Sequence, residues 1–219
     1  MTKEIQQAIN DIYLEYEDIP LPTDIMACTC CRNSIDITKL TTEPLIKLSE
    51  NDLRDYSFSV FNTVGSSEDF LYFLPRLIEL TINDNGNFTD REIIFKKLKK
   101  VDWSSLSEKK SIVLSNLINK VFESFSICKY DGYQIDSWIC AISQFNNNVM
   151  SMLDILLSDT MAAEFNLIGF YEQNSKSILK KKLANPFWGR SNDNYNGILE
   201  WLLSEKVYHK VNQIYKNAY

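Results

Sequence analysis

The chain has 219 residues, 45% of them hydrophobic, and a formal net charge of -6 at pH 7. A chain of this length can bury a core large enough to fold without disulfides. The acidic balance argues against nucleic acid as the main partner, because phosphate binding is usually marked by a basic surface.

The expected compartment follows from three further features. The five cysteines, an odd number, do not suggest the paired framework of a small secreted domain. No apolar run approaches the roughly 18 residues of a membrane span, and the polar, acidic N-terminus lacks the basic start and apolar stretch of a signal peptide. We therefore expect a cytoplasmic protein whose partner is neither nucleic acid nor a membrane.

The acidic charge is concentrated in the first third of the chain. Residues 1–80 contain fourteen Asp and Glu against six Lys and Arg, whereas the remainder contains fifteen against seventeen. Two interpretations are open: a solvated helix surface that keeps the protein soluble, or an acidic docking face for a basic partner.

The clearest helical periodicity in the first third begins at Ser49. Ser49 followed by Asp52 resembles a capping box with Asp in place of Glu. After a turn at Gly65, serines and two acids begin a second helix, which Pro75 is expected to kink or split. The apolar faces consist of Leu53, Tyr56, Val60, Phe61 and Val64 in the first helix and of Phe70, Leu74, Leu77 and Ile78 in the second.

The middle of the chain continues the helical pattern. The polar stretch at 83–87 predicts a loop, after which Thr89 is expected to cap a helix. Ser107 is expected to begin a further helix, whose apolar stripe is wide enough to contact two neighbours and so predicts a central position. The stripe consists of Leu114, Leu117, Ile118, Val121, Phe122 and Phe125.

The second half of the chain is also expected to be helical. A helix ending at Phe145 is separated by the asparagines at 146–148 from helical runs through Leu157 and over 161–171. The stretch "SKSILKKKLANPFW" predicts a short helix broken before Pro186, and "NGILEWLLSEKVYHKVNQIYKNAY" continues the helical pattern to the last residues.

These patterns predict an all-α fold. Strand signals are scarce, because no two alternating runs flank a tight Asn-Gly or Asp-Gly turn. About nine or ten helices are expected, arranged as an irregular α-solenoid-like stack or as a compact multi-helix bundle. No linker rich in Pro, Gly or Ser interrupts the chain, so we expect residues 1–219 to form a single helical domain.

Several segments together resemble a family of uncharacterised, mostly helical bacterial proteins. They are "CTCC" at 28–31, "EPLIKLSENDLRDYSF" at 43–58, "EDFLYFLPRLIEL" at 68–80, "NPFW" at 185–188 and "ILEWLL" at 198–203. The resemblance spans most of the chain and implies a stand-alone helical protein. It brings no catalytic residue to assign.

The cysteine cluster comprises Cys28, Cys30 and Cys31. Cys28 and Cys31 have C-x-x-C spacing and would be the first ligands of a zinc ion, but the second ligand pair that such sites usually show is missing. A dithiol redox site needs a strand–helix setting that the sequence does not predict. We therefore expect buried, unreactive cysteines and no metal or other cofactor.

No catalytic residue is predicted. The single histidine is His209, and the familiar enzyme motifs are absent from the sequence. Carboxylate pairs such as Glu68 with Asp69, or Asp131 with Asp136, could act as acid and base, but such pairs more often cap helices and face water.

Aromatic and basic clusters are expected to be structural. The aromatic residues Phe187, Trp188, Tyr195 and Trp201 fit a core seam better than a ligand pocket. The basic runs "KKLKK" at 96–100 and "KKK" at 180–182 are expected to be solvated faces, because neither is interleaved with the stacking aromatics of single-strand binders.

Two functions of different classes remain. The first is a protein–protein interaction module, most concretely an immunity protein that neutralises a cognate toxin, since complementary charge accelerates association with a basic toxin domain. The second is an enzyme of unfamiliar type whose helical active site is built on carboxylates, with or without a metal. For the first function, the predicted contact residues are Asp52, Asp55, Glu68 and Asp69.

Overall fold

The computed structural model describes residues 1–29, 34–84, 86, 88–145, 148–189 and 192–218. Within these ranges the fold is all-α, as predicted, and contains eleven α-helices. They are α1 (Lys3–Glu15), α2 (Ile37–Thr42), α3 (Glu50–Ser59), α4 (Ser67–Asn83), α5 (Arg91–Leu98), α6 (Glu108–Ser124), α7 (Gly132–Phe145), α8 (Val149–Met152), α9 (Met161–Ile178), α10 (Tyr195–Leu202) and α11 (Glu205–Ala218).

Short irregular elements complete the described chain. Three 3-10 helices span Leu45–Lys47, Trp103–Ser105 and Leu153–Leu157. Extended pairing in the described ranges is limited to isolated bridges that join Val64 to Ala27 and to Val60. None of the described helices has the length and apolar character needed to cross a lipid bilayer.

The chain divides into two compact units, Met1–Leu117 and Ile118–Tyr219, here called the N-terminal and C-terminal units. The boundary falls within α6, so this helix contributes residues to both. The expectation of a single domain over 1–219 stays a prediction.

Helix α4 is central to the N-terminal unit and contacts α1, α3 and α5. Its apolar face is buried as the periodicity predicts, including Phe70, Leu74, Leu77 and Ile78. Pro75 is buried within α4 and does not split it. Although proline removes one hydrogen bond from the helix, its ring contributes apolar surface to the core around it.

Helices α7 and α9 form the main pair of the C-terminal unit. The buried face of α7 includes Ile135, Trp138, Ile139 and Ile142. Helix α9 continues to Ile178, so the separate short helix predicted from "SKSILKKKLANPFW" is wrong: its first residues are the last turn of α9, and the residues from 182 to 189 are not helical.

An extended contact joins the N-terminal segment to the turn between α3 and α4. The backbone N–H of Cys28 donates to the Thr63 carbonyl oxygen (3.0 Å), and that of Gly65 donates to the Met26 carbonyl oxygen (2.8 Å). Gly65 has a φ of 65°, a left-handed conformation that glycine adopts without steric cost. The chain before the cysteine cluster is therefore fixed against this turn by backbone hydrogen bonds.

Candidate functional site

Helix α3 begins with the predicted capping box. The Ser49 Oγ accepts from the Asp52 backbone N–H (3.4 Å), and the Asp52 Oδ2 accepts from the Ser49 backbone N–H (2.8 Å). The Asp52 Oδ1 also lies 2.8 Å from the Lys39 Nζ on α2. Partial burial opposes ionisation of this carboxyl, but the hydrogen bonds from Lys39 and Ser49 outweigh it and lower the pKa of Asp52 to about 2.

Helix α4 begins with a second capping box, formed by Ser66 and Asp69. The Asp69 Oδ2 accepts from the Ser66 backbone N–H (2.7 Å), and the Ser66 Oγ accepts from the Asp69 backbone N–H (3.2 Å). Asp69 is buried. Glu68 is exposed, and hydrogen bonds from its own backbone N–H and from Ser66 lower its pKa.

A groove of about 440 Å³ lies between α3 and the start of α5. Asp55 and Asp90 are exposed in its lining. Phe58 also lines the groove, with 61% of its surface exposed. The remaining lining consists of Ser34, Arg54, Ser59, Phe88, Thr89 and Ile93. We call this feature the α3–α5 groove; it combines apolar surface with two acidic residues, Asp55 and Asp90, and one basic residue, Arg54.

Buried hydroxyl groups hold the two sides of the groove together. The Ser57 and Thr89 hydroxyls are hydrogen-bonded to each other, and both oxygens lie within hydrogen-bond distance of the Arg54 carbonyl oxygen, to which the hydroxyl not used as the donor of the mutual bond donates. Thr89 is therefore not the helix cap that the sequence predicts: α5 begins after Asp90, and the Thr89 hydroxyl is buried against α3 instead.

Backbone hydrogen bonds to the Asp84 side chain position Phe88 at the groove. The Asp84 Oδ1 accepts from the backbone N–H groups of Gly86 (2.8 Å) and Phe88 (2.9 Å). A carboxylate that binds the following backbone in this way fixes the local chain direction. The loop side of the groove is thus formed before any partner binds.

The end of α3 is fixed by a buried lysine. The Lys97 Nζ donates to the carbonyl oxygens of Phe58 (2.8 Å) and Val60 (2.9 Å). Lys97 is only 6% exposed, so the prediction that the whole run 96–100 is solvated is wrong at this residue. Burial, assisted by the charge of Lys100, lowers its pKa to about 8.

The four predicted contact acids are not equivalent. Asp52 and Asp69 are engaged in capping boxes, whereas Asp55 and Glu68 are exposed. Of the four, Asp55 alone belongs to the described lining of the groove. Sequence reasoning missed Phe58 and Asp90. An aromatic residue three positions after Asp55 is a signal that could have placed Phe58 and Asp55 on one helix face, whereas no local spacing connects Asp90 to α3.

The carboxylate pair Asp131 and Asp136 is divided between two structural roles. The Asp131 Oδ1 accepts from the Gln134 backbone N–H (2.8 Å) at the start of α7. Asp136 is buried, and its Oδ1 accepts from Asn174 Nδ2 (2.7 Å) and Trp188 Nε1 (3.3 Å). His209 is exposed on α11 beside Tyr208.

The cysteine cluster is described only in part. Cys28 is half-buried and Cys140 is buried, whereas Cys30 and Cys31 lie outside the described residues. Within the described ranges, no group of three His, Cys, Asp or Glu side chains is placed to hold a metal ion. The expectation of structural cysteines without metal stays a prediction.

Comparison of the chain with protein-family models, with curated proteins and with solved structures finds no match. The resemblance to a family of helical bacterial proteins therefore stays a prediction.

Proposed function

We propose that the protein is an interaction module that binds a basic partner protein through the α3–α5 groove. The observation that carries the proposal is Phe58 on α3, a residue that is 61% exposed and lines the same groove as Asp55. A large aromatic side chain next to a groove is the kind of anchor that dominates binding energy in protein interfaces.

The groove suits a partner segment that presents a basic and an apolar side chain together. Phe58 and Ile93 offer apolar surface, and Asp55 and Asp90 offer carboxylates to a lysine or arginine. The surrounding acidic charge of residues 1–80 would increase the rate of encounter with a basic protein.

The most concrete form of the proposal is an immunity protein that occludes a basic toxin domain. This form is supported by the net charge of -6 and by a groove whose walls are held by hydrogen bonds before binding. A rigid surface loses less conformational entropy when it binds, which favours tight association.

The test is affinity purification with matched variants as bait, followed by titration of the purified partner. Phe58→Ala should weaken binding of that partner by about tenfold or more, the effect expected of an interface anchor. Asp55→Lys should slow its association and reduce the dependence of the rate on salt. An immunity role further requires that the wild-type protein abolish the activity of a toxic partner at equimolar concentration.

Two control variants carry changes of the same kind outside the groove: loss of an exposed apolar side chain and reversal of an exposed negative charge. Leu14→Ala removes another exposed apolar side chain of the N-terminal unit, and Asp24→Lys reverses another exposed acid. A partner that binds the groove variants and the control variants equally well would contradict the proposal.

A further inference from the structure

The C-terminal unit contains a cavity of about 670 Å³ between the end of α9 and the start of α10. Cavities that hold small molecules commonly measure about 300–1,000 Å³. The polar and aromatic part of the lining includes Lys181, Lys182, Asn192, Asn196, Trp188 and Tyr195.

Helix α9 ends at this cavity in a turn that normally contains glycine. The Lys182 backbone N–H donates to the Ser177 carbonyl oxygen (3.1 Å), and the Lys181 N–H donates to the Ile178 carbonyl oxygen (2.8 Å). Together these bonds form a Schellman motif, in which residue 181 must be left-handed. Lys181 has a φ of 53°, a conformation that is sterically unfavourable for a residue with a Cβ.

The left-handed backbone of Lys181 lies at the lining of the cavity. Glycine at residue 181 would stabilise the turn, yet the sequence places there a lysine whose side chain lines the cavity. Backbone strain in folded proteins is concentrated at ligand-binding and active sites. Lys181 therefore combines a cost to stability with a positive charge at the cavity.

The wall of the cavity is held by part-buried polar contacts. Asn174 Oδ1 accepts from the Ala184 backbone N–H (2.7 Å), and the Tyr195 hydroxyl accepts from the Leu183 N–H (3.3 Å). Gln144 Nε2 on α7 donates to the Phe187 carbonyl oxygen (3.1 Å). This loop is thus positioned by side chains of other elements, and its shape exists without a ligand.

The charge of the lining is opposite to that of the whole chain. The described lining contains two lysines and no carboxylate, whereas the chain carries a net charge of -6. Asp136 accepts a hydrogen bond from Trp188 Nε1, but it is only 1% exposed and is not part of the lining. Amide groups and aromatic rings provide the remaining polar and flat surface.

We infer that this cavity binds a small phosphorylated molecule, with Lys181 and Lys182 at the phosphate. Lysine is a common phosphate-binding residue because its ammonium acts as a compact positive charge. Exposed Asn196 can hydrogen-bond a polar ring such as a nucleobase or a sugar, and Tyr195, packed edge-on against the largely buried Trp188, provides aromatic surface. This inference is independent of partner binding at the α3–α5 groove.

The test is isothermal titration of the full chain with adenosine 5′-monophosphate, glucose 6-phosphate and inorganic phosphate. A phosphorylated probe should bind, inorganic phosphate should compete with it, and adenosine and glucose should not bind. Preference between the two organic probes distinguishes a nucleotide from a sugar phosphate. Lys181→Asn, which tolerates the left-handed backbone, should weaken binding by about tenfold or more, as expected for loss of a charge-assisted hydrogen bond.

Two matched variants separate binding from stability. Lys180→Asn removes a neighbouring exposed lysine that does not line the cavity and should leave affinity within about twofold. Lys181→Gly should raise the melting temperature, because glycine suits the left-handed backbone, and yet weaken binding. Failure of inorganic phosphate and of both phosphorylated probes to bind would overturn the inference. So would equal losses of affinity from Lys180→Asn and Lys181→Asn.

Discussion

Gly132 on α7 and Gly169 on α9 lie so close that a Cβ added to Gly132 would be 2.7 Å from the Gly169 carbonyl oxygen. Because the obstacle is backbone, an alanine at residue 132 must push the two helices apart. We expect Gly132→Ala to destabilise the protein by about 1–3 kcal/mol, the usual cost of overpacking. Thermal unfolding followed by circular dichroism measures the effect.

Gly197→Ala is the control for this change. The three atoms nearest to a Cβ at Gly197 all belong to the flexible side chain of Met150, with the sulfur at 3.1 Å, and alanine favours the helix by about 1 kcal/mol relative to glycine. This variant should therefore be neutral or stabilised. Equal melting temperatures for the two variants would contradict the close approach of α7 and α9.

The lowered pKa of Lys97 predicts that the free energy of unfolding depends on pH in the alkaline range. Its pKa is about 8 in the folded protein against an ordinary 10.5, so between these values the unfolded state binds more protons than the folded state. The contribution of Lys97 to the free energy of unfolding should consequently rise as pH increases from about 8 to about 10.5. Urea unfolding at several pH values, compared between wild type and Lys97→Met, isolates this contribution.

Lys96→Met provides the comparison for the alkaline measurement. Lys96 is an exposed neighbour on the same helix, whereas Lys97 is buried. Wild type and Lys96→Met should share the rise, and Lys97→Met should lack it. A rise of the same size in Lys97→Met would show that another group is responsible.

Alanine substitutions at Asp52 and Asp55 should affect protein stability and partner affinity to different extents. Asp52→Ala removes a capping-box acceptor and should cost about 1 kcal/mol, whereas exposed Asp55→Ala should change stability by less than about 0.5 kcal/mol. Partner affinity should show the reverse order, because Asp55 lines the groove. Urea unfolding and a titration of the partner on both variants measure the two effects.

The Asp52 carboxylate should also contribute to acid stability. Its folded pKa is about 2 and its ordinary value is 3.8, so its stabilising contribution is present above 3.8 and is lost as pH falls from 3.8 towards 2. Asp52→Ala should lack this component of acid unfolding. An acid transition identical to that of wild type would contradict the lowered pKa of Asp52.

Asn174 connects three parts of the C-terminal unit. Its amide donates to Asp136 (2.7 Å) and to the Phe170 carbonyl oxygen (3.0 Å), and it accepts from the Ala184 N–H (2.7 Å). Asn174→Ala should destabilise the protein by about 2–4 kcal/mol, because it deprives buried polar groups of a partner.

The matched change to alanine is at Asn212 on α11. The Asn212 amide makes an exposed hydrogen bond with the Tyr208 carbonyl oxygen (3.0 Å), so Asn212→Ala should cost less than about 0.5 kcal/mol. Urea unfolding compares the two variants. Similar losses would mean that the buried network contributes little to stability.

Local patterns in the sequence predicted the features that depend on neighbouring residues. The apolar stripe of α4 and the capping box of Ser49 and Asp52 require residues three or four positions apart, and both are present in the structure. The fold class followed from the same periodicity.

Features that depend on distant residues were missed. Thr89 has the composition of a helix cap, but its hydroxyl is bonded to Ser57, 32 residues earlier. Lys97 belongs to a basic run, but its ammonium is buried against the end of α3. Neither partner can be identified from local spacing, because tertiary packing decides which polar groups meet. The groove, which depends on these contacts, could not be predicted either.

The hydrogen bond between Cys28 and Thr63 fixes the backbone at residue 28 without using the thiol. The hydrogen bond is donated by the backbone N–H of Cys28, so serine, alanine or an alkylated cysteine would retain it. Proline alone among the common amino acids lacks that donor. At Gly65 the situation is reversed, because an added Cβ would lie 3.2 Å from the Tyr56 ring and 3.3 Å from the Asp69 carboxylate. The backbone attachment therefore does not depend on the identity of residue 28, provided that it is not proline, whereas replacement of the glycine would disturb the attachment itself.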